Sequence, residues 1–347
     1  VKEMKRMKTT EAVGQVLCHD ITQIIPGVTK DAVFRKGHII REEDIPVLLS
    51  VGKDSVYIWE NDETMMHEND AAEVLYRMTA NEHMHPSDVK EGKIEVIADT
   101  EGLLKVDREK LKKVNAFGEM MIATRHGNTV VKKGDKLAGT RIIPLVIKKD
   151  KMQEAEKICD GTPILKILPF TVKKAAIITT GNEVYHGRIK DAFTPVIEQK
   201  IAEFGAEMMF HEIFDDNDRK ITDGCLRAIE AGADIVFCTG GMSVDPDDKT
   251  PLAIKNTGAE MISYGSPVLP GAMFLLSYYR KSDKVIPICG LPGCAMYNRR
   301  TIFDLVLPRL MAADPVTADE LASLGEGGLC LNCKVCTFPN CGFGKGW

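Results

Sequence analysis

From about residue 170 to 313, short apolar runs that end in glycine alternate with capped amphipathic stretches, and this rhythm admits few folds. The run Ala175-Ala176-Ile177-Ile178-Thr179-Thr180 reads as a buried strand closed by Gly181. A helix is expected next, with Thr194 as N-cap, Pro195 in the first turn, Ile197, Ile201 and Phe204 on one face, and Gly205 as the stop. Glu207–Phe214 reads as the second strand. Asp218 should cap a helix that carries Ile221, Cys225 and Ile229 and ends near Gly232. Residues 234–239 form a third strand running into Gly240-Gly241, and Thr250-Pro251 opens a helix stopped at Gly258. Two late strands, near 273–279 and 285–289, flank the Lys281-Ser282-Asp283 turn, and a last helix is expected from Cys294 to Leu310. This alternation predicts an α/β domain over 170–313, three-layered, with a mostly parallel sheet and right-handed crossovers. An open sheet of this kind takes its ligand at the carboxyl ends of its strands.

The flanks read differently. Residues 1–165 mix short apolar runs with many lysines and glutamates, as a β-rich α+β region of one or two subdomains would. Strand-like pieces recur at 55–59, 94–97, 119–124 and 142–147, and short helices are expected near 42–50, Glu68–Thr79 and 107–114. Residues 314–347 form a Gly-rich and Cys-rich tail with little to build a core.

Composition narrows the function classes. The net charge of −5 makes the chain a poor partner for a phosphate backbone, so nucleic-acid binding is not expected. No apolar run reaches the roughly 18 residues needed to cross a bilayer, and the basic start of the chain has no apolar stretch behind it to act as a secretory signal. Six scattered cysteines (Cys18, Cys159, Cys225, Cys238, Cys289, Cys294) sit mostly in apolar segments, as reduced buried thiols of a cytoplasmic protein do.

Three unusual turns fall at expected strand ends. They are Thr180-Gly181-Asn182-Glu183, then Gly240-Gly241-Met242-Ser243 running on to Thr250, and Gly290-Leu291-Pro292-Gly293. Glycines there let backbone N–H groups approach an anion, and the helix opening at Thr250 would point its positive end the same way. Glu183, Asp245, Asp247 and Asp248 lie beside this cradle, and carboxylates next to a phosphate site normally hold Mg²⁺.

Together these turns resemble the molybdopterin-binding domain of molybdenum-cofactor biosynthesis proteins. The family pattern of Thr-Gly-Asp/Asn-Glu, then Gly-Gly-x-Ser/Gly with a downstream Asp, then Leu-Pro-Gly is met by 180–183, by 240–243 with Asp248, and by 291–293. The resemblance implies molybdopterin, or its adenylylated form, as ligand, with Thr180, Gly181, Asn182, Glu183, Gly240, Gly241, Met242, Ser243, Asp245, Thr250, Pro292 and Gly293 around it. It implies Glu183 and Asp248 as the catalytic acidic positions and as Mg²⁺ ligands. The layout is similar to a molybdopterin molybdenumtransferase, which inserts molybdate and works as a homo-oligomer. Departures are visible. Leu269-Pro270-Gly271-Ala272-Met273 lacks both lysines of that family's Lys-Pro-Gly-Lys-Pro stretch, the Asn-Ser-x-Met-Asp-Gly-Tyr-Ala motif is missing, and Cys294-Ala295 replaces Asn-Pro after Leu-Pro-Gly. These changes favour the alternative of a non-catalytic cofactor carrier serving a molybdoenzyme. A molybdopterin adenylyltransferase and a hydrolase of nucleotide-like pyrophosphates are further alternatives.

The tail carries Cys330, Cys333, Cys336 and Cys341 in the spacing C-x2-C-x2-C-x4-C. Thiolates so close in sequence can close around an iron–sulfur cluster or a Zn ion. The stretch from Gly37 to Gly52 resembles a small β-rich scaffolding module. His83 and His85 have no further ligand nearby and read as surface residues.

Overall fold

The computed structural model describes residues 5–25, 29–58, 64–243, 245–246 and 248–346. The chain divides into two compact units: residues 1–99, 106–125 and 133–166 form the first, and 100–105, 126–132 and 167–347 the second.

In the first unit, Lys5–Lys8 pairs antiparallel with Ser55–Ile58, over a small core of Ala12, Leu17, Ile21, Ile40, Leu48 and Val56. Trp59, placed at the end of that strand by the sequence reading, lies outside the described residues. A four-stranded antiparallel sheet runs in the order Met84–Pro86, Lys93–Ala98, Lys136–Ile142, Met120–Thr124. Helix Glu68–Thr79 has the expected bounds and buries Ala71, Ala72, Val74, Leu75 and Met78. The expected strand over 142–147 is divided instead, because Pro144 has no N–H for a ladder; Lys136–Ile142 ends before it and Val146–Lys148 begins after it.

The second unit is built on six strands: β1 (Lys174–Thr180), β2 (Glu207–Phe214), β3 (Ile235–Thr239), β4 (Glu260–Tyr264), β5 (Leu275–Lys281) and β6 (Lys284–Leu291). Their order is β2-β1-β3-β6-β5-β4. The first four in that order are parallel, and β5 pairs antiparallel with both its neighbours. The two late strands are thus a hairpin that adds an antiparallel edge. β4 has no counterpart in the sequence reading.

The alternation along β1 decides the layers. Ala175 and Ile177 face one core with Ile197 and Ile201 of α1 (Phe193–Ala202), while Ala176 and Ile178 face the other with Ile221, Cys225 and Ile229 of α2 (Asp218–Glu230). Helix α3 (Thr250–Asn256) joins the second face, and α4 (Ile302–Met311) joins the first. The crossovers from β1 to β2 and from β2 to β3 therefore run on opposite faces. That reversal makes the carboxyl ends of β1 and β3 the switch point at which open sheets of this kind take their ligands.

Three local expectations change. Thr194 lies inside the first turn of α1, and Asp191 does the capping: its Oδ1 accepts from the N–H groups of Phe193 and Thr194 at 2.8 and 3.1 Å. Asn217, rather than Asp218, caps α2, accepting from Lys220 N–H at 3.1 Å. The final helix is two pieces, a 3-10 turn at Gly293–Met296 and α4, because Thr301 and Asp304 form a capping box that starts the helix anew. The tail does help to build a core: Phe343 is 5% exposed and packs with α4. No helix among the described residues is long and apolar enough to cross a membrane.

Candidate functional site

Three strand ends carry the three turns. Thr179 is in register with Thr239, and Thr239 with Leu291, so Gly181, Gly240 and Pro292 follow three adjacent parallel strands. The turns are therefore neighbours along one edge of the sheet.

Their junction is tightly knit. Gly240 and Gly241 both have positive φ, 81° and 54°. A Cβ on Gly240 would stand 2.1 Å from the carbonyl oxygen of Thr180, so only glycine passes there. The Thr180 hydroxyl donates to the Thr239 carbonyl at 3.1 Å and lies 3.0 Å from the Thr250 hydroxyl, which donates to the Gly240 carbonyl at 2.9 Å. Thr250 N–H donates to the Gly241 carbonyl at 3.2 Å. Thr180 and Thr250 are buried and satisfied, so they set the loop's shape. Thr239 Oγ1 is buried at the same strand end without a hydrogen-bond partner.

The acidic residues sit on the outer side. Glu183 is exposed and its carboxylate folds back over Gly181, with Oε1 2.9 Å from where a Cβ would be. Asp248 is half-buried, and its Oδ2 accepts from Asp245 N–H at 3.1 Å, while Asp248 N–H donates to the Asp245 carbonyl at 2.9 Å. Asp245 and Ser243 are exposed, and Met242 is buried against Gly290. Asp247 lies outside the described residues. Pro292 is buried and Gly293 exposed. Helix α3 that follows this loop has only seven residues.

Four residues at this end were not singled out by the sequence reading. Asp216 Oδ2 accepts from Asn182 N–H at 3.1 Å and so ties the first turn to the loop after β2. The Tyr264 hydroxyl donates to the Met242 carbonyl at 3.0 Å, and burial raises its pKa with help from Asp248. Asp191 Oδ2 accepts from the hydroxyls of Thr179 at 2.8 Å and Thr194 at 2.6 Å. His211 Nε2 lies 3.1 Å from the Thr179 hydroxyl and 3.5 Å from Asp191. Only Asp191 left a trace in sequence, as an acidic residue just before a helix.

Burial works to raise the Asp191 pKa, but the hydrogen bonds from Thr194, Thr179 and Phe193 outweigh it and hold the carboxyl below its usual value. A depressed folded pKa means stability that is full above the unfolded value and lost as the pH falls through the folded one. Asp191→Asn should therefore cost about 1–2 kcal/mol at neutral pH. The difference from wild type should shrink in acid, below about pH 4. Thermal unfolding of both proteins between neutral and acidic pH measures this; a constant gap would remove the carboxylate from the account.

Elsewhere, Cys18, Cys159, Cys225, Cys238 and Cys289 are buried free thiols, as their apolar surroundings led us to expect. His85 pairs with Asp99 at 2.7 Å on the surface. Cys330 and Cys341 are half-buried, and Cys333 and Cys336 are exposed. Among the described residues, no three His, Cys, Asp or Glu side chains converge to hold a single metal ion, at the rim or in the tail.

Comparison with known proteins fits this layout. Residues 176–312 match the family model described as "Probable molybdopterin binding domain", and residues 6–60 match a domain of unknown function (DUF8806). A Bacillus cereus (strain B4264) protein named "Putative competence-damage inducible protein" is 25% identical over 129 residues, which is 37% of this chain and 30% of that protein. Its Bacillus velezensis namesake is 32% identical over 85 residues, 24% of this chain and 20% of that protein. The chain thus spans less than a third of the length of the curated relatives it matches. Among solved structures, the tungsten cofactor synthesizing protein MoaB from Pyrococcus furiosus is 20% identical, with 40% of this chain and 89% of that chain covered at a TM-score of 0.33. The protein CinA from Thermoplasma acidophilum is 16% identical, with 40% and 98% covered at a TM-score of 0.32.

Proposed function

We propose that this chain, whose residues 176–312 match a molybdopterin-binding domain model, binds molybdopterin or its adenylylated form at the rim of 180–183, 240–250 and 290–293 and inserts molybdate into it. One observation carries the reading: a glycine loop in a backbone shape that only glycine tolerates, set between two further turns on adjacent strand ends. Backbone without side chains is what a phosphate group needs to be held closely.

Each residue then has a task. Gly240 and Gly241 line the phosphate position, with Thr180 and Thr250 holding the loop in shape. Asn182, Met242, Ser243, Asp245, Pro292 and Gly293 border the ligand. Mg²⁺ is held by one or two carboxylates and completed by phosphate oxygens, and Asp248 and Glu183 are donors of that class. Bound there, the ion would neutralise charge on the phosphoryl and molybdate oxygens. Asp245 N–H keeps the Asp248 carboxylate oriented. The reading takes the protein as a cytoplasmic homo-oligomer that works without nucleic acid or membrane.

A second reading has its own support. Residues 269–273 contain no cation to draw in molybdate, which favours a carrier that hands the cofactor to a molybdoenzyme. Isothermal titration with molybdopterin tests the shared premise. Asp248→Ala should weaken binding at least ~10-fold, about 1.4 kcal/mol. Equal affinity in both proteins takes Asp248 out of the site, and no binding by the wild type overturns the reading. Molybdate-dependent turnover separates insertion from carriage.

A further inference from the structure

The segment after residue 325 takes no part in the rim, and it is fixed at both ends. Leu269 N–H donates to the Gly328 carbonyl at 2.8 Å and Cys330 N–H donates to the Leu269 carbonyl at 2.8 Å. At the other end Phe343 is buried in the core, Gly344 N–H donates to the Gly327 carbonyl at 3.0 Å, and a Cβ on Gly344 would meet Leu305 at 2.3 Å. A loop anchored on both sides keeps its shape without a long-loop entropy cost.

All four cysteines of this loop line one cavity of about 560 Å³. None of its lining residues is acidic, while Arg299, Arg300 and Lys334 contribute to its wall. Arg300 sits over the Phe338 ring at 4.8 Å and is braced by Asp304 at 2.9 Å. Arg299 donates to the Lys334 carbonyl at 3.3 Å. Cations around four thiolates offset the negative charge those thiolates bring.

The arrangement separates two metals. Zinc needs all four sulfurs within about 2.3 Å of one point. Here the four cysteines line one cavity of about 560 Å³, which is room for more than a single ion. A space of that size suits a polynuclear core, each of whose four irons takes one thiolate.

We propose that Cys330, Cys333, Cys336 and Cys341 hold a [4Fe–4S] cluster in this cavity. The cluster site is distinct from the rim and does not depend on what the rim binds. Loading can proceed by ligand exchange from a preformed, thiolate-ligated [4Fe–4S] complex. Each cysteine forms an Fe–S bond as one donor thiolate leaves its iron, and the cysteine's proton departs on that thiol. The cluster's oxidation level is unchanged.

The experiment offers this complex anaerobically to the full chain, with Cys333→Ala, Cys336→Ala and Cys294→Ala variants alongside. Wild type and Cys294→Ala should acquire roughly four irons and four labile sulfides per chain, with broad thiolate-to-iron visible absorption. Cys333→Ala and Cys336→Ala, at exposed positions, should keep the wild-type unfolding profile and lose most of that uptake. No uptake by folded wild type would overturn the proposal, as would equal uptake by every variant. Equimolar zinc that binds through these thiols and blocks uptake would do the same. Molybdopterin titration of the cysteine variants should match wild type, which keeps the outcome separate from that of the rim.

Discussion

Gly240→Ala should fold but lose at least ~100-fold in molybdopterin affinity, about 2.8 kcal/mol. The added methyl would meet the Thr180 carbonyl oxygen at 2.1 Å, and that oxygen belongs to backbone at the end of β1, which is paired on both sides. Neither partner can yield alone, so the loop must leave its position. The φ of 81° adds about 1–2 kcal/mol for any residue with a Cβ. Gly232→Ala separates the two effects, since Gly232 has φ 100° but nothing within 4 Å of its would-be Cβ. It should show the backbone cost in a thermal melt and leave ligand affinity at the wild-type level. Wild-type binding by Gly240→Ala would show that the loop does not touch the ligand.

Asp304→Ala should destabilise the second unit by about 3–5 kcal/mol. The carboxylate is 7% exposed and serves three partners. Lys200 Nζ lies 2.5 Å from Oδ1 and Arg300 Nη1 lies 2.9 Å from it, and Oδ2 accepts from Thr301 N–H at 2.8 Å to start α4. Removing it deprives two half-buried cations of their carboxylate and uncaps the helix whose Phe303 meets Phe237 edge-on at 5.4 Å. The unfolding midpoint should fall by roughly 8–15 °C. Asp304→Asn keeps the cap but not the charge, and should recover part of the loss. A midpoint within about 2 °C of wild type would mean that water replaces those partners freely.

What the sequence disclosed follows from where the information lay. Strands β1 and β3 were readable because a central strand of a parallel sheet is apolar on both faces and stops at glycine. The turns were readable for the same reason, since each follows such a run. Strand β4 lies at the sheet edge with Met261 exposed and Ile262 and Ser263 only partly covered, so its pattern is faint. Asp191, His211, Asp216 and Tyr264 come from separate segments, and only pairing of the strands draws them to one end. The tail contributes more than its composition suggests because a few apolar residues spread along it, Val316, Leu321 and Phe343, enter the core, with Phe338 packed against them.

The seating of Phe343 ties the shape of the tail to the folding of the second unit. Phe343, two residues beyond Cys341, belongs to the hydrophobic cluster beneath α4, and Cys330 and Cys341 pack against that cluster, so any guest that binds only the native loop raises the stability of the whole unit. By mass action each tenfold excess of guest over its dissociation constant adds about 1.4 kcal/mol.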